Sequence, residues 1–178
     1  MDILTNKISK EDFHISNNLD QNNPSFIYGE VCFIELAEII QSLELTDRLF
    51  LDIGSGCGKI VVYLAKKFNL LIDGIEIDTE RYTKSLELVD KFNMNNNIYL
   101  FNNDFRKIYF GNYDVLYCCN LVFSKDDNND LFKKILVEFN GYLFLFYYNY
   151  HIKKYFIKFF EIKTSWNPKQ RIFLFYIK

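Results

Sequence analysis

Apolar residues along this 178-residue chain come in two alternating rhythms. Short runs that are apolar at almost every position read as strands buried on both faces: Arg48 to Ile53, LLIDGIEID ending at Glu76, IYLFNND ending near Asp104, YDVLYCCN ending at Asn120, and GYLFLFYYNY opening at Gly141. Between them lie segments with helical spacing. These are Val31 to Leu43 (apolar at 33, 36, 37, 40 and 43), Ile60 to Phe68, Thr79 to Phe92 with Asp78 or Thr79 as its cap, and Asp127 to Phe139. Strands alternating with helices predict a parallel sheet with right-handed crossovers. The chain ends differently. FFEIKTSW and RIFLFYIK, joined by Asn167-Pro168-Lys169-Gln170, predict an antiparallel hairpin that closes the sheet. Residues 1–23 are polar and asparagine-rich with little periodicity, so they read as an arm ahead of one domain spanning 24–178.

Composition adds limits. Hydrophobic residues make up 49% of the chain, enough for a single core at this length. No stretch approaches the roughly 18 uninterrupted apolar residues of a membrane span, and the N-terminus lacks the apolar region of a signal peptide. An intracellular protein with no membrane contact is expected, in cytoplasm or nucleus. Cys32, Cys57, Cys118 and Cys119 show no C-x-x-C spacing, and the adjacent pair would point to opposite faces of a strand. Buried thiols are expected, with no disulfide framework and no metal.

Charge is unevenly spread. The net charge is −2, but residues 1–150 carry −8 and residues 151–178 carry +6, the latter from Lys153, Lys154, Lys158, Lys163, Lys169, Arg171 and Lys178 against Glu161 alone. A basic end of this kind steers anionic partners, so contact with nucleic acid through it stands beside the plainer reading of a solvated face.

The chemistry concentrates in LFLDIGSGCGK, Leu49 to Lys59. A buried strand ends in Asp52, glycines follow at 54, 56 and 58, and a helix begins at once, so backbone N–H groups and the positive helix end face a polar ligand. Spacing separates the families that use such turns. A P-loop needs glycine where Ile53 stands and Ser or Thr where Ile60 stands. A dinucleotide turn needs its third glycine where Lys59 stands. What remains, D-x-G-x-G-x-G, resembles motif I of the class I S-adenosylmethionine (SAM)-dependent methyltransferases. Glu76, at the end of the second strand, suits both ribose hydroxyls, and Asp104-Phe105 suits an adenine, the carboxylate taking the exocyclic amine and the ring a face. The resemblance implies a Rossmann-like fold, a seven-stranded and mostly parallel sheet whose C-terminal hairpin is antiparallel.

Three further stretches are similar to the Dot1-like (histone H3 lysine-79 type) lysine methyltransferases: Tyr28-Gly29-Glu30, Asn120-Leu121-Val122-Phe123 and Thr164-Ser165-Trp166 match, in order, a Y-G-E, an N-x-x-F and a V-S-W. By that resemblance Asp52, Gly54, Gly56, Gly58, Glu76, Asp104 and Phe105 bind SAM, and Glu30 shapes a lid over it. Asn120 holds the methionine end beside the transferred methyl, and Lys59 faces the methionine carboxylate. Tyr28, Phe123 and Trp166 wall the channel for a lysine, with Asn120, Tyr28 and Phe123 nearest the chemistry. The implied partner is a protein substrate, histone or nucleosome being candidates. Enzymes that methylate planar amides or bases typically carry an N-P-P-Y-like motif at the end of strand 4. Leu121 and Val122 here replace both prolines, which favours an aliphatic amine. A nucleic-acid or small-molecule acceptor, and a non-catalytic SAM-binding scaffold, stay open. The long helical N-terminal region and lysine-rich extension of the family have no counterpart in the 23 residues before Pro24.

Overall fold

In the computed structural model, residues 30–178 are described. Tyr28, Gly29 and the 1–23 arm lie outside the described residues. Twelve elements follow in order: α1 (Phe33–Ser42), β1 (Phe50–Ile53), α2 (Lys59–Phe68), β2 (Ile72–Glu76), α3 (Thr79–Lys91), β3 (Ile98–Asn102), β4 (Val115–Cys118), α4 (Lys125–Glu138), β5 (Gly141–Leu145), α5 (Tyr150–Lys153), β6 (Phe156–Ile162) and β7 (Gln170–Ile177).

The strands form one seven-stranded sheet in the order β3-β2-β1-β4-β5-β7-β6. β1 to β5 are parallel, while β7 runs antiparallel between β5 and β6. The expected α/β sheet with a terminal hairpin is what the chain builds. Period-2 alternation within the apolar runs divides the core. Phe50, Ile72, Val115 and Phe144 face α1, α2 and α3. Leu51, Ile53, Leu116, Cys118 and Leu143 face α4. Cys118 is buried on the α4 side, whereas the half-buried Cys119 packs on the other, as expected for adjacent strand residues.

Element ends moved where polar side chains captured backbone groups. The fourth helix starts at Lys125 and not Asp127, because Ser124 and Asp127 form a reciprocal capping box. The third strand stops at Asn102, since Asp104 caps a short 3-10 turn, Phe105–Lys107. The fourth stops at Cys118, where Asn120 opens another turn. The first helix begins at Phe33 because Val31 pairs with Thr164 in an antiparallel bridge. That bridge ties the start of the described chain to the β6–β7 loop.

Candidate functional site

The parallel strands end on one rim, and a cavity of about 610 Å³ opens above it, within the usual range for small-molecule sites. Its floor is the glycine turn. Gly54, Gly56 and Gly58 all hold positive φ, at 81°, 56° and 76°, a region that penalises side chains with a Cβ. Gly54 and Ser55 donate their N–H groups to the Ile75 carbonyl at 2.8 and 2.9 Å, which locks the turn onto β2. Gly74 permits this approach, since a Cβ there would meet Ser55 Oγ at 2.8 Å. No turn or capping pattern around Gly74 marks that role in sequence.

The three glycines differ in purpose. Gly54 and Gly56 line the cavity, but Gly58 does not. A Cβ on Gly58 would sit 2.9 Å from Ser85 Cβ, so this glycine lets α2 pack against α3 and makes no wall for a ligand. The structure thus gives Gly58 a packing role between two helices.

Acidic side chains crowd the floor. Glu76 accepts from Gly56 N at 2.8 Å and from Asp78 N at 2.9 Å, which aims the carboxylate along the turn. Burial pushes its carboxyl up, with those two backbone bonds and Arg81 opposing. Asp52 is 2% exposed, and burial, reinforced by the neighbouring Glu76 charge, pushes its carboxyl up to about 8. Asp52 Oδ1, Ser55 Oγ and Tyr117 Oη are buried with no hydrogen-bond partner among the described residues, and all three residues line the cavity. Buried polar groups without partners are costly, so three on one wall mark a place shaped for a polar ligand. SAM, whose methionine end carries an ammonium, fits this donor set: a cation beside Asp52 would draw its carboxyl into the charged form, and Ser55 and Tyr117 offer hydroxyls.

Further along the rim, Asp104 accepts from Arg106 N at 2.9 Å, and both its oxygens lie 3.2 Å from Arg106 Nη1. Arg106 also binds Asp127 at 2.6 Å and Asp130 at 2.9 Å, and its guanidinium lies 4.7 Å from the Phe105 ring centre. Sequence reasoning missed this cation, which holds Asp104 and the start of α4 together. Phe105 stacks on Phe123, centroids 5.9 Å apart at 17°, and the Phe123 ring lies 3.7 Å from where a Gly54 Cβ would be.

The wall opposite is built by the two ends of the described chain. Ser165 N donates to the Glu30 carbonyl at 2.8 Å, and Glu30 N to Ser165 Oγ at 3.1 Å. Lys59 Nζ lies 2.5 Å from Glu30 Oε1, so this cation pairs within the protein where a methionine carboxylate was expected to face it. Glu30 and Trp166 line the cavity there. Trp166 is half-exposed, its Nε1 donating to Gln170 Oε1 at 3.4 Å.

Asn120 departs from expectation. It is fully buried, its Nδ2 donating to Asn128 Oδ1 (2.6 Å) and the Tyr147 carbonyl (2.9 Å), its Oδ1 accepting from Phe146 N (3.1 Å) and Tyr147 N (3.0 Å). The side chain's capacity is used up, and Asn120 is absent from the cavity wall, where Cys119, Leu121, Val122 and Phe123 stand. Asn128 adds bonds to the Phe123 and Ser124 carbonyls at 3.1 and 3.2 Å. The two asparagines therefore hold the loop that presents Phe123. The expected contact of the Asn120 side chain with the methionine end is not made by this arrangement.

Residues 16–158 match the model of the family described as histone methylation protein DOT1. The chain belongs to the DOT1 family. The matched stretch covers the glycine turn, Glu76, Asp104 and the Asn120–Phe123 loop, and ends before Trp166. No curated protein matches the sequence. Among solved structures, an RNA methyltransferase from Salinibacter ruber in complex with S-adenosyl-L-homocysteine superposes with a TM-score of 0.66 at 14% identity, over 80% of this chain and 90% of that one. Magnesium protoporphyrin IX methyltransferase from Synechocystis PCC 6803 with bound SAM gives 0.67 at 13%, over 82% and 78%. A putative SAM-dependent methyltransferase from Methanococcus maripaludis gives 0.54 at 26%, over 62% and 52%. The fold is that of class I SAM-dependent methyltransferases, and this DOT1-family chain is a SAM-dependent methyltransferase.

Proposed function

We propose that this DOT1-family chain transfers a methyl group to the side-chain amine of a protein lysine, with a histone as the first carrier to test. The observation that carries the reading is the apolar rim of the cavity. Its polar groups there are paired within the protein, Glu30 with Lys59 and Asp104 and Asp127 with Arg106. The apolar surfaces of Val31, Leu121, Phe123 and Trp166 that remain suit the aliphatic stem of a lysine.

Bound SAM supplies an electrophilic methyl on a sulfonium. Asp52, Ser55 and Tyr117 would hold its amino acid end, Glu76 the ribose, and Asp104 with Phe105 the adenine. The remaining work is positioning, and aromatic surroundings that exclude water favour the neutral amine needed as nucleophile. Phe123 and Trp166 would supply that environment.

Incubation with radiolabelled SAM and free histones, nucleosomes or cell extract tests the proposal. Label that survives nuclease and is lost with protease, and that maps to lysine, is the expected result. Label that survives protease and is lost with nuclease would overturn the lysine reading in favour of a nucleic-acid acceptor. SAM binding without any transfer would point to a scaffold.

A further inference from the structure

Arg106 joins acids from two walls of the cavity. Every nitrogen of its guanidinium is engaged: Nη1 lies 3.2 Å from each Asp104 oxygen, Nη2 donates to Asp127 Oδ1 at 2.6 Å, and Nε donates to Asp130 Oδ2 at 2.9 Å. Asp104 follows β3, whereas Asp127 and Asp130 stand in the first two turns of α4. The α4 end of this clamp is fixed. Asp127 spends Oδ1 on Arg106 and Oδ2 on the Ser124 hydroxyl at 2.6 Å, so it cannot follow a moving arginine without breaking the helix cap. The guanidinium also lies 4.7 Å from the Phe105 ring centre. Isolated surface ion pairs contribute little to stability, but a planar fork shared by three carboxylates has little freedom to turn. What it fixes is direction.

Direction matters because of what Asp104 has left to offer. A carboxylate is acceptor-only, with two lone pairs on each oxygen. Oδ1 takes Arg106 N at 2.9 Å and Nη1 at 3.2 Å and is filled, whereas Oδ2 takes Nη1 alone among the described residues. One acceptor position therefore remains on a residue of the cavity wall. That complement suits the single exocyclic amine of an adenine. It opposes a 6-oxo purine, which would set one acceptor against another and leave both without a donor.

We propose that Arg106 is a positioning residue for cofactor selection: by holding Asp104 with one lone pair open, it makes the site choose a 6-amino over a 6-oxo purine. The inference rests on the reading of Asp104 as the adenine acid and is indifferent to the methyl acceptor. Without the fork, Asp104 keeps its bond from the backbone N–H of residue 106, but its carboxylate can turn about the Cβ–Cγ bond. It then meets an amine less often and turns away from an oxo group more readily, so selectivity falls further than affinity.

Calorimetry on the full chain with S-adenosylhomocysteine and S-inosylhomocysteine tests this with no methyl transfer. The two ligands differ in the 6-substituent of the purine and the N1 proton that accompanies it. The unmodified protein should prefer the adenosyl compound by at least about ten-fold, the effect of losing a hydrogen bond to a charged group. Arg106→Gln should shrink that preference to about three-fold or less, by lowering adenosyl affinity without lowering inosyl affinity. Arg106→Lys keeps the charge but not the fork and should fall between the two. It carries the same test if thermal melting shows the glutamine variant to be unfolded. Asp104→Ala should lose the preference as well. Adenosyl and inosyl affinities that fall together in the Arg106 variants, with their ratio intact, would overturn the proposal and leave Arg106 a purely structural residue. Loss of preference in Asp104→Ala but not in the Arg106 variants would overturn it while keeping Asp104 on the adenine. A preference that survives Asp104→Ala, or none in the unmodified protein, would overturn it together with that assignment.

Discussion

The floor of the cavity and its rim are built on opposite principles. On the floor, Asp52 Oδ1, Ser55 Oγ and Tyr117 Oη are buried without partners among the described residues. At the rim, the polar groups are spent on the protein itself: Asn120 makes four side-chain bonds, Glu30 pairs with Lys59, and Ser165 with the Glu30 backbone. A wall that keeps polar capacity open selects its ligand by hydrogen bonds. One that has used its capacity selects by shape, and this rim offers Leu121, Val122, Phe123 and Trp166. On the proposed reading the floor, meant for the cofactor, is chemically specified, whereas the rim, meant for the acceptor, selects by its apolar surface.

The largest expected effect comes from filling the floor. Gly56 holds φ of 56° and donates its N–H to Glu76. Gly56→Arg forces a side chain onto a left-handed position within the ligand space, and calorimetry should show no binding of SAM or S-adenosylhomocysteine, a loss of at least about 100-fold, or 2.7 kcal/mol. Retained binding would break the assignment of the floor to the cofactor.

Next comes the support of the rim. Asn120→Ala strands the Phe146 and Tyr147 N–H groups, the Tyr147 carbonyl and Asn128 Oδ1 in a buried place, each unsatisfied group costing about 1–3 kcal/mol. A drop in unfolding free energy of a few kcal/mol is expected by denaturant titration, with turnover falling more than SAM affinity because the Phe123 loop loosens. Normal stability and normal turnover together would show that the clamp is dispensable.

The open floor has a smaller and pH-dependent signature. The Asp52 carboxyl is raised from 3.8 to about 8, so the folded protein holds a proton that the unfolded chain releases. Stability from this group is fully present below pH 3.8 and is lost as pH rises towards about 8, with the buried Glu76 contributing in the same direction. Asp52→Asn should remove much of that slope, raising the melting temperature of ligand-free protein near pH 8 by roughly 2–4 °C per kcal/mol gained. The same change should weaken SAM binding, because an amide, unlike the Asp52 carboxyl, cannot ionise when an ammonium arrives. A variant whose melting point keeps the slope would place the titration elsewhere.

Much of this contrast was legible before any coordinates. Gly54, Gly56 and Glu76 are one loop and one strand end, set by local turn chemistry and by hydrophobic runs with period 2, so their convergence follows from a parallel sheet alone. Gly58 was legible as a turn glycine but not as a packing one, because Ser85 lies 27 positions away and only the fold brings it close. Arg106 was missed since its partners Asp127 and Asp130 sit on another element. Asn120 shows the deeper limit. An N-x-x-F pattern fixes which residue stands there but not which way it points, and direction depends on Tyr147 and Asn128, a strand and a helix away.

The mildest perturbation falls on the aperture's outer edge. Trp166 is 43% exposed and its indole makes one long hydrogen bond, to Gln170. Trp166→Ala should change stability by no more than about 0.5 kcal/mol, as for other surface positions. SAM affinity should stay the same, since the proposed cofactor contacts are made by Asp52, Glu76 and Asp104 and not by this ring. The acceptor KM should rise by a few-fold, roughly the 1 kcal/mol that partial burial of an aromatic surface contributes, with kcat nearly unchanged. That split separates a shape-selecting rim from a catalytic one. If kcat fell and KM held, Trp166 would be shaping the transition state, and the division between a chemical floor and a steric rim would have to be redrawn at the hairpin loop.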